Sequence, residues 1–384
     1  MKYAENEMKE ILSQKLELSD QAEERLQETY SQIRMENKTK TIHAKKSWRK
    51  VTAAAAAVAL ALTVTGGTAA AAYLSEHTDF LQGMFGNTTK PSQEAVQVPA
   101  DPDKDDGMMA DVPGKEYVPV DEEKADALIG DNVADLNLTK EINGHTLTIE
   151  SIVSDGNGML MSFTLEKPGG ITCLLADEGT NQTKGAAFSQ DTDFLFIAEN
   201  QDGDAAGDYM YIDLERSTDE KYYLYDYMIW PSDRTEKIQP RLHIYKYAAT
   251  LGELQELYET DPDRQEELSA QTEEEYWELP EIESIPMQSL EKDGTWICSY
   301  SPISMVINMA ALLPQEQAQE PYYIKYIELK YKDGSSYVIS KQDELDNTGY
   351  LCGVDGELRL TYNRIVDPKD IAHVVINDNT YDIN

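Results

Sequence analysis

The stretch LNLTKEINGHTLTIESIV, residues 136–153, decides the fold. Apolar and polar side chains alternate along both of its halves, which is typical of a strand with one buried face. Asn143-Gly144 lies between the halves and supplies the positive φ angles of a type I′ turn. The sequence therefore predicts an antiparallel hairpin here, and the rest of the chain extends this pattern.

Short runs of the same kind continue on both sides of an acidic segment. The first set is MLMSFTLE, DFLFIA, YMYIDLE, YYLYDYMIW and RLHIYKYAA, and the second set is TWICSY, ISMVINM, YYIKYIELKY, SYVIS, LRLTY, HVVIN and TYDI. Asp333-Gly334 is a second hairpin signal, and Asp367-Pro368 predicts the start of one helical turn. Many short strands without helical insertions predict a mainly β protein with two antiparallel β-sandwich (Ig-like) domains, at residues 130–250 and 285–384. The segment 251–284 between them is predicted as an acidic helical connector.

The longest stretch without a charged residue is Val51–Leu74. As a helix it would be about 36 Å long, which exceeds the roughly 30 Å of a hydrocarbon core. Basic residues flank only its N-terminal end, in KKSWRK at residues 45–50. The sequence thus predicts a single-pass protein of the cell membrane with one transmembrane helix, residues 1–50 in the cytoplasm and the C-terminal domains extracytoplasmic. A cleaved secretory signal ending near Ala69–Ala72 and a buried Ala-rich helix remain as alternatives.

The acidity of the chain lies almost entirely in its C-terminal part. Residues 1–50 carry 11 basic and 9 acidic residues, whereas residues 75–384 carry 22 and 62. Such a surface repels nucleic acid and attracts cations or basic proteins, so we expect no direct nucleic-acid binding. Residues 75–129 combine prolines with acids, Gly and Ser, which predicts an acidic Pro-rich tether before the first sandwich.

Residues 1–50 are predicted to contain two short amphipathic helices. The first covers residues 3–18, and the second begins with Asp20 as its cap and Glu23 at the third helical position. Helices of this size cannot close a core alone, so their apolar stripes either pack on each other or bind a partner. A flexible tail that only sets topology is the alternative, and the basic residues between 38 and 50 indicate a segment held near membrane lipid. The predicted partner-binding residues are Ile11, Leu12, Ala22, Leu26, Tyr30 and Ile33.

The sequence contains no recognisable pattern for catalysis or metal binding. The histidines are scattered singly, and no HExxH, GxSxG, Walker loop or GxGxxG with a following helix is present. Cys173, Cys298 and Cys352 lack metal-ligand spacing, and whether Cys298 and Cys352 pair stays open. We therefore expect no enzyme, no cofactor and no catalytic or metal site. The tyrosines between residues 222 and 230 are compatible with a sugar-binding platform, although packed strands also favour aromatic residues.

Three local patterns and the layout of the chain carry a family resemblance. The patterns are LSDQAEERLQETYSQI (18–33), GHTLTIESIVSDGNGMLMSFTL (144–165) and RIVDPKDIAHVVINDNTYDI (364–383). With the Ala-rich stretch and its basic flank, they resemble the Firmicutes membrane proteins that carry domain of unknown function 4179. Such proteins are often encoded beside extracytoplasmic-function sigma factors and are similar in layout to anti-sigma factors. The HxxxCxxC zinc pattern of the better-known anti-sigma domain is missing from residues 1–50, so sigma binding would use the two helices without metal.

The resemblance implies a single-pass, anti-sigma-factor-like regulator. Its partners would be a sigma factor on the cytoplasmic side, membrane lipid, and an unidentified extracytoplasmic ligand that the β domains sense or use as an anchor. The alternative is a non-signalling cell-surface binding or structural protein, whose inner tail only sets topology. A third reading is a module that acts in trans after release near Ala69–Ala72.

Overall fold

The computed structural model of this protein describes residues 85, 118 and 203 and the ranges 96–98, 110–116, 120–176, 185–200, 205–232 and 237–383. All of these residues belong to one compact unit, residues 67–384. The predicted helices of residues 1–50 lie outside the described residues. The same holds for all of the predicted partner-binding residues: Ile11, Leu12, Ala22, Leu26, Tyr30 and Ile33.

The structure corrects the prediction of a transmembrane helix. Within the described ranges, no helix is long and apolar enough to cross a membrane. The longest helix there has 10 residues. At about 1.5 Å per residue it is roughly 15 Å long, half the thickness of a hydrocarbon core. The stretch for which the span is predicted, Val51–Leu74, lies outside the described residues.

The described chain is mainly β and antiparallel, as predicted. Its first half contains β1 (Val96–Val98), β2 (Ala110–Val112), α1 (Glu122–Ile129), β3 (Ala134–Ile142), β4 (His145–Ser154), β5 (Gly158–Glu166), β6 (Leu174–Ala176), β7 (Ala186–Phe188), β8 (Phe194–Asn200), β9 (Gly207–Ile212), β10 (Lys221–Ile229), β11 (Lys237–Ile238) and β12 (Pro240–Lys246). Its second half contains α2 (Leu251–Thr260), α3 (Pro262–Ser269), β13 (Glu273–Glu278), β14 (Ile282–Glu283), β15 (Gln288–Lys292), β16 (Thr295–Tyr300), β17 (Ser304–Asn308), α4 (Met309–Leu312), β18 (Tyr326–Tyr331), β19 (Ser336–Lys341), β20 (Leu345–Asp346), β21 (Thr348–Val354), β22 (Glu357–Tyr362), β23 (Ile371–Ile376) and β24 (Asn379–Asp382).

The first sandwich packs a five-stranded sheet, in the order β3-β4-β5-β10-β9, against a three-stranded sheet, in the order β13-β12-β8. The hairpin predicted from residues 136–153 is confirmed. Ile142 pairs with His145 across the turn, and the φ angles of Asn143 and Gly144 are 46° and 77°. Along β3, the apolar positions of the sequence are the less exposed positions of the structure. The inward side chains of both sheets form one apolar core.

The second sandwich packs two five-stranded sheets, β15-β16-β17-β22-β21 and β20-β19-β18-β23-β24. Gly334, with a φ angle of 88°, closes the predicted hairpin between β18 and β19. Asp367 accepts a hydrogen bond from the backbone N–H of Lys369 at 3.0 Å and caps the predicted helical turn, a 3₁₀ helix at Pro368–Asp370. Both local predictions are therefore confirmed in this sandwich.

Two segments differ from the sequence prediction. Helix α1 lies within the predicted tether, where the Asp121 side chain caps it and Ala125 and Ile129 are buried. Two buried positions are enough to dock one short helix, but they are too few to produce a recognisable helical period. In the predicted helical connector, only α2 and α3 are helical, and the following strand β13 pairs with β12.

A third apolar cluster joins the two sandwiches. It lies on the outer face of the five-stranded sheet of the first sandwich, where Tyr211, Tyr225 and Tyr227 meet helix α1. Ile285 and Ile303 complete this cluster from the side of the second sandwich. Because the central strand β5 is covered on both faces, it is almost wholly buried, whereas the edge strand β3 alternates between half-buried and exposed residues.

Two glycine–tyrosine contacts set how closely the sandwiches approach. A Cβ added to Gly207 of β9 would clash with the hydroxyl of Tyr350, and a Cβ added to Gly349 of β21 would clash with the ring of Tyr227. Each sandwich therefore offers a glycine to a tyrosine of the other. This reciprocal contact tolerates no side chain at either glycine without a shift of one ring.

Candidate functional site

The two outer faces of the first sandwich differ in exposure. The third cluster covers the part of the five-stranded sheet's outer face that holds Tyr211, Tyr225 and Tyr227. On the outer face of the three-stranded sheet, Ile197 and Tyr276 stay 41% and 48% exposed. We call this second surface the open face and define it by the outward residues of β8, β12 and β13: Leu195, Ile197, Glu199, Arg241, His243, Tyr245, Glu274, Tyr276 and Glu278.

Strand register arranges the open face in rows. Side chains that are directly opposite each other on neighbouring strands are the closest cross-strand pairs of a sheet, so each row is a set of direct contacts. The central row is aromatic and apolar, and the charged residues lie on both sides of it. The rows are Leu195–Tyr245–Glu274, Ile197–His243–Tyr276 and Glu199–Arg241–Glu278.

His243 is fixed at the centre of the open face by its neighbours. Its ring centroid lies 4.1 Å from that of Tyr245 and 4.2 Å from that of Tyr276. Its Nδ1 lies 2.9 Å from the Tyr245 hydroxyl, and its Nε2 lies 3.1 Å from a carboxylate oxygen of Glu274. Burial, followed by the charge of Glu274, raises the pKa of Tyr245 to about 12, so the phenol stays neutral. The imidazole is thus held through both ring nitrogens and both ring neighbours.

The charges of the open face do not cancel. Arg241 donates a hydrogen bond from Nε to Glu199 at 2.6 Å, and its guanidinium lies 4.3 Å from the centre of the Tyr276 ring. Glu278 lies at 3.9 Å from the same guanidinium. The side chains of Glu274 and Glu278 remain 55% and 50% exposed. One arginine therefore faces three carboxylates, which leaves an acidic surface around an aromatic centre.

A buried cysteine–histidine pair lies in the core of the same sandwich. The Sγ atom of Cys173 lies 3.4 Å from Nε2 of His145, which is the geometry of a nucleophile and a base. Burial raises the pKa of the Cys173 thiol to about 12, and burial, followed by the charge of Lys167, lowers the pKa of His145. Both groups are neutral near pH 7, and a thiol nucleophile needs its thiolate form. The pair is therefore a packed contact, and it does not point to catalysis.

Asp155 lies in the junction between the two sandwiches. Its carboxylate accepts backbone N–H bonds from Asn157 at 2.8 Å and Gly158 at 2.9 Å. It also accepts hydroxyl bonds from Ser301 and Ser304 of the second sandwich, both at 2.5 Å. Burial raises the pKa of Asp155, while the two serine hydroxyls and the two backbone groups act in the opposite direction. The residue links the sandwiches chemically, and its hydrogen-bonding capacity is already used within the chain.

Asp226 is a second buried carboxyl group, inside the first sandwich. It lies in the middle of β10, paired with Met161 and Met210 on the neighbouring strands. Its Oδ1 atom has no hydrogen-bond partner among the described residues. Burial, followed by the negative charge of Asp208, raises the pKa of Asp226 well above its usual value. Both effects favour the protonated form of this side chain.

The aromatic run of β10 does not form a platform. Tyr225, Tyr227 and Trp230 are buried, while Tyr222 and Tyr223 are half-buried. These side chains pack on the two faces of a covered sheet, as expected for aromatic residues in strands. No disulfide joins Cys298 and Cys352.

Sequence reasoning missed the open face. Its signal is the alternation in EEEYWE, residues 273–278, which brings two glutamates and a tyrosine to one side of a strand. Four glutamates among six residues, next to two helical segments, favoured a helical interpretation instead. The contacts of His243 could not be read from the sequence, because they depend on the register between β12 and β13.

Comparison with known proteins gives one similar solved structure and one family. The solved structure is "The crystal structure of the conserved domain protein from Bacillus anthracis", with 16% identity, 64% of this chain and 77% of that chain covered, and a TM-score of 0.35. No curated protein matches the chain. Residues 43–167 match the family described as "Domain of unknown function (DUF4179)". In the structure, the matched segment ends just after β5. Strand β5 pairs with β4 inside the segment and with β10 outside it, so later strands complete the sheet to which the segment belongs. Over residues 43–167, the chain carries a DUF4179 domain.

Proposed function

We propose that this protein is an anti-sigma-factor-like regulator that works by binding. In this proposal, residues 1–50 bind a sigma factor, and the two sandwiches form a rigid body that recognises a ligand. In the proposal, residues 1–50 are cytoplasmic and the sandwiches extracytoplasmic, because the basic residues of KKSWRK (45–50) flank only one end of the uncharged stretch. The proposal follows from the resemblance of the chain's layout to that of anti-sigma factors, while the matched family is described only as a domain of unknown function.

The observation that carries ligand recognition is the open face. Arg241, His243 and Tyr245 are already held by hydrogen bonds and ring contacts in the free protein. Side chains that are ordered before binding lose little conformational entropy when a ligand arrives, and this favours affinity. Tyr276 and Ile197 add exposed aromatic and apolar area at the centre of the surface. Binding sites between proteins are enriched in tyrosine and arginine, and this surface offers both.

Sigma-factor binding is supported by the apolar stripe of the second helix predicted in residues 1–50. Ala22, Leu26, Tyr30 and Ile33 recur at helical spacing on an otherwise polar segment. An apolar stripe on a short helix gains about 25 cal/mol per Å² when a partner buries it. A sigma factor held this way is withdrawn from RNA polymerase until the contact is released.

The sigma-factor contact is tested with the full chain. The wild-type protein, expressed in its own cells with an affinity tag, is expected to co-purify with a sigma factor, and L26D/I33D is expected to lose about 90% of it, because two buried leucine-sized contacts are worth roughly 3 kcal/mol or more. The matched control is Q27D/S31D, which adds the same charge to the polar side of the same helix. Equal recovery of the sigma factor by wild type and L26D/I33D would contradict the proposal.

The location of the sandwiches is tested independently. Protease treatment of intact cells is expected to remove residues 75–384 and to leave the N-terminal segment in the cell. Protection of the sandwiches in intact cells, with cleavage after lysis, would reject the extracytoplasmic assignment.

A second function is a surface binding protein without signalling. The open face supports this second function as strongly as the regulator, because ligand binding by the sandwiches does not require a cytoplasmic partner. The two functions differ in the effect of deleting residues 3–36. A regulator changes the transcription of its sigma-dependent genes on this deletion, whereas a surface binding protein leaves transcription unchanged.

A further inference from the structure

We infer that the open face binds a basic, extended polypeptide, which pairs with the free edge of β13 as a fourth strand. This inference rests on the ligand-recognition half of the proposed function and names the chemistry of its ligand. It combines three observations: an edge strand with outward backbone groups, an exposed tyrosine between two glutamates, and an excess of negative charge on the same surface.

The backbone of β13 has one side available for pairing. Within the described residues, β13 pairs only with β12. The N–H of Leu279 donates to the carbonyl of Pro240 at 2.9 Å, so Leu279 points its backbone toward β12. Backbone direction alternates along an antiparallel strand, so Glu275 and Trp277 also point toward β12. The N–H and C=O groups of Glu274, Tyr276 and Glu278 therefore point away from the sheet.

The ring geometry supports this assignment. His243 and Tyr276 are directly opposite each other, and their ring centroids are 4.2 Å apart. Opposite residues that do not exchange backbone hydrogen bonds have the closer side chains in an antiparallel pair. Tyr276 is thus a residue whose backbone groups face the free edge.

The side chains of these three residues select for a basic partner. Glu274, Tyr276 and Glu278 alternate on one face of β13. A strand added beside them would place every second side chain on the same face, about 4.5–5.5 Å away from its opposite residue. Lysine or arginine at alternate positions would then meet a carboxylate, the tyrosine ring and a second carboxylate. The guanidinium of Arg241 already lies over the Tyr276 ring, and this contact is consistent with an affinity of the ring for cations.

The opposite face of β13 carries less unpaired charge. Glu275 is paired there with both Lys140 and Lys246, Trp277 packs against the core, and only Glu273, at the first position of the strand, is exposed. Two exposed glutamates flank a tyrosine on the open face, whereas the other face offers one at the end of the strand. Charged edge residues also protect proteins from edge-to-edge association, because like charges repel. A basic strand is the one kind of partner for which that repulsion becomes attraction.

Fluorescence anisotropy with the full chain tests the charge requirement. The probe is a short labelled peptide with lysine at every second position and threonine between the lysines. The E274Q/E278Q variant is expected to bind it about fivefold to tenfold more weakly than wild type, since two cross-strand charge pairs are lost. The control E256Q/E259Q removes two exposed glutamates from α2 and is expected to bind like wild type. Equal loss in both variants would overturn the inference, because it would indicate only attraction by net charge.

Two further comparisons test strand pairing. In an antiparallel added strand, the residues opposite Glu274, Tyr276 and Glu278 exchange the backbone hydrogen bonds, and in this peptide they are the lysines. A peptide that is N-methylated on the backbone nitrogen of each lysine keeps the charge but lacks these N–H groups, so it is expected to bind at least about tenfold more weakly. In the protein, Y276V and Y276P both remove the ring, but only Y276P removes the outward N–H, so only Y276P is expected to abolish binding. Thermal melting of both variants checks that the ladder to β12 survives. Strand addition would be overturned if the two peptides bound equally well, or if folded Y276V and folded Y276P bound the lysine–threonine peptide equally well. Binding of a different ligand to the open face would leave the proposed function intact.

Discussion

Asp155 and Asp226 are both enclosed within the β body, but their surroundings differ. Asp155 lies in the turn between β4 and β5 and accepts two backbone and two hydroxyl hydrogen bonds, the latter from the second sandwich. Asp226 lies in the middle of β10 beside Met161 and Met210, and its Oδ1 atom has no partner among the described residues. Burial raises the pKa of both groups.

The difference lies in what each carboxyl group does for the folded chain. Four hydrogen-bond donors replace the water that Asp155 loses on folding. Removal of the Asp155 side chain would therefore leave buried donors in both sandwiches without an acceptor. Asp226 loses its water without equal replacement, so the folded protein favours its protonated form, and ionisation of this group costs stability. The same residue type thus stabilises one buried position and destabilises another.

The largest expected effect is that of removing Asp155. Asp155→Ala leaves the hydroxyls of Ser301 and Ser304 and two backbone N–H groups without their acceptor. We expect a loss of about 3–5 kcal/mol in the free energy of unfolding, measured by urea denaturation near pH 7. Ser304→Ala, which removes one donor, is expected to cost about 1–3 kcal/mol.

The matched control for this prediction is Asp263→Ala, at an exposed position near the start of α3. It is expected to change stability by no more than about 0.5 kcal/mol. A loss below about 1 kcal/mol in Asp155→Ala would show that the junction does not depend on this carboxylate.

A smaller effect of opposite sign is expected at Asp226. Because its pKa in the folded protein lies above its unfolded value, the wild-type protein loses stability as pH rises from about 4 toward the folded pKa, by at most about 1.4 kcal/mol per pH unit. Asp226→Asn cannot ionise and escapes this loss. We expect Asp226→Asn to be more stable than wild type by about 1 kcal/mol or more at pH 7 and to match it near pH 4.

Urea denaturation at both pH values measures this difference. Asp263→Asn serves as the control, because its exposed side chain should show no such pH dependence. A constant difference between Asp226→Asn and wild type across the pH range would mean that folding does not raise the pKa of Asp226.

The smallest effect is expected at Asp208. Its negative charge contributes to the raised pKa of Asp226, after burial. Asp208→Asn removes that charge, so the pKa of Asp226 should fall and the protein should gain up to about 0.5 kcal/mol at pH 7. In the double variant with Asp226→Asn this gain should disappear, and a gain that persists there would assign the effect to Asp208 itself.

The sequence predicts the local structure of this protein better than its contacts. Asn143-Gly144 and Asp333-Gly334 define hairpins because their backbone preferences act within a few residues. Helix α1 escapes notice because tertiary packing of Ala125 and Ile129, rather than a long helical period, holds it in place. Strand β13 escapes notice because its glutamates favour a helix, and pairing with β12 overrides that preference.

The candidate site follows the same rule. Tyr276, Glu274 and Glu278 are visible in the sequence as an alternating set, but their position opposite His243 and Arg241 depends on a register between strands separated by two helices. The link from Asp155 to Ser301 and Ser304 spans more than a hundred residues. Contacts between residues so far apart along the chain produce no local sequence pattern.

The paired contacts of Gly207 with Tyr350 and of Gly349 with Tyr227 have a mechanical consequence. For either sandwich to slide past the other, a tyrosine ring would first have to rise over the strand that now receives it. Small displacements of one sandwich along the other are therefore resisted by two rings on opposite sides of the same contact.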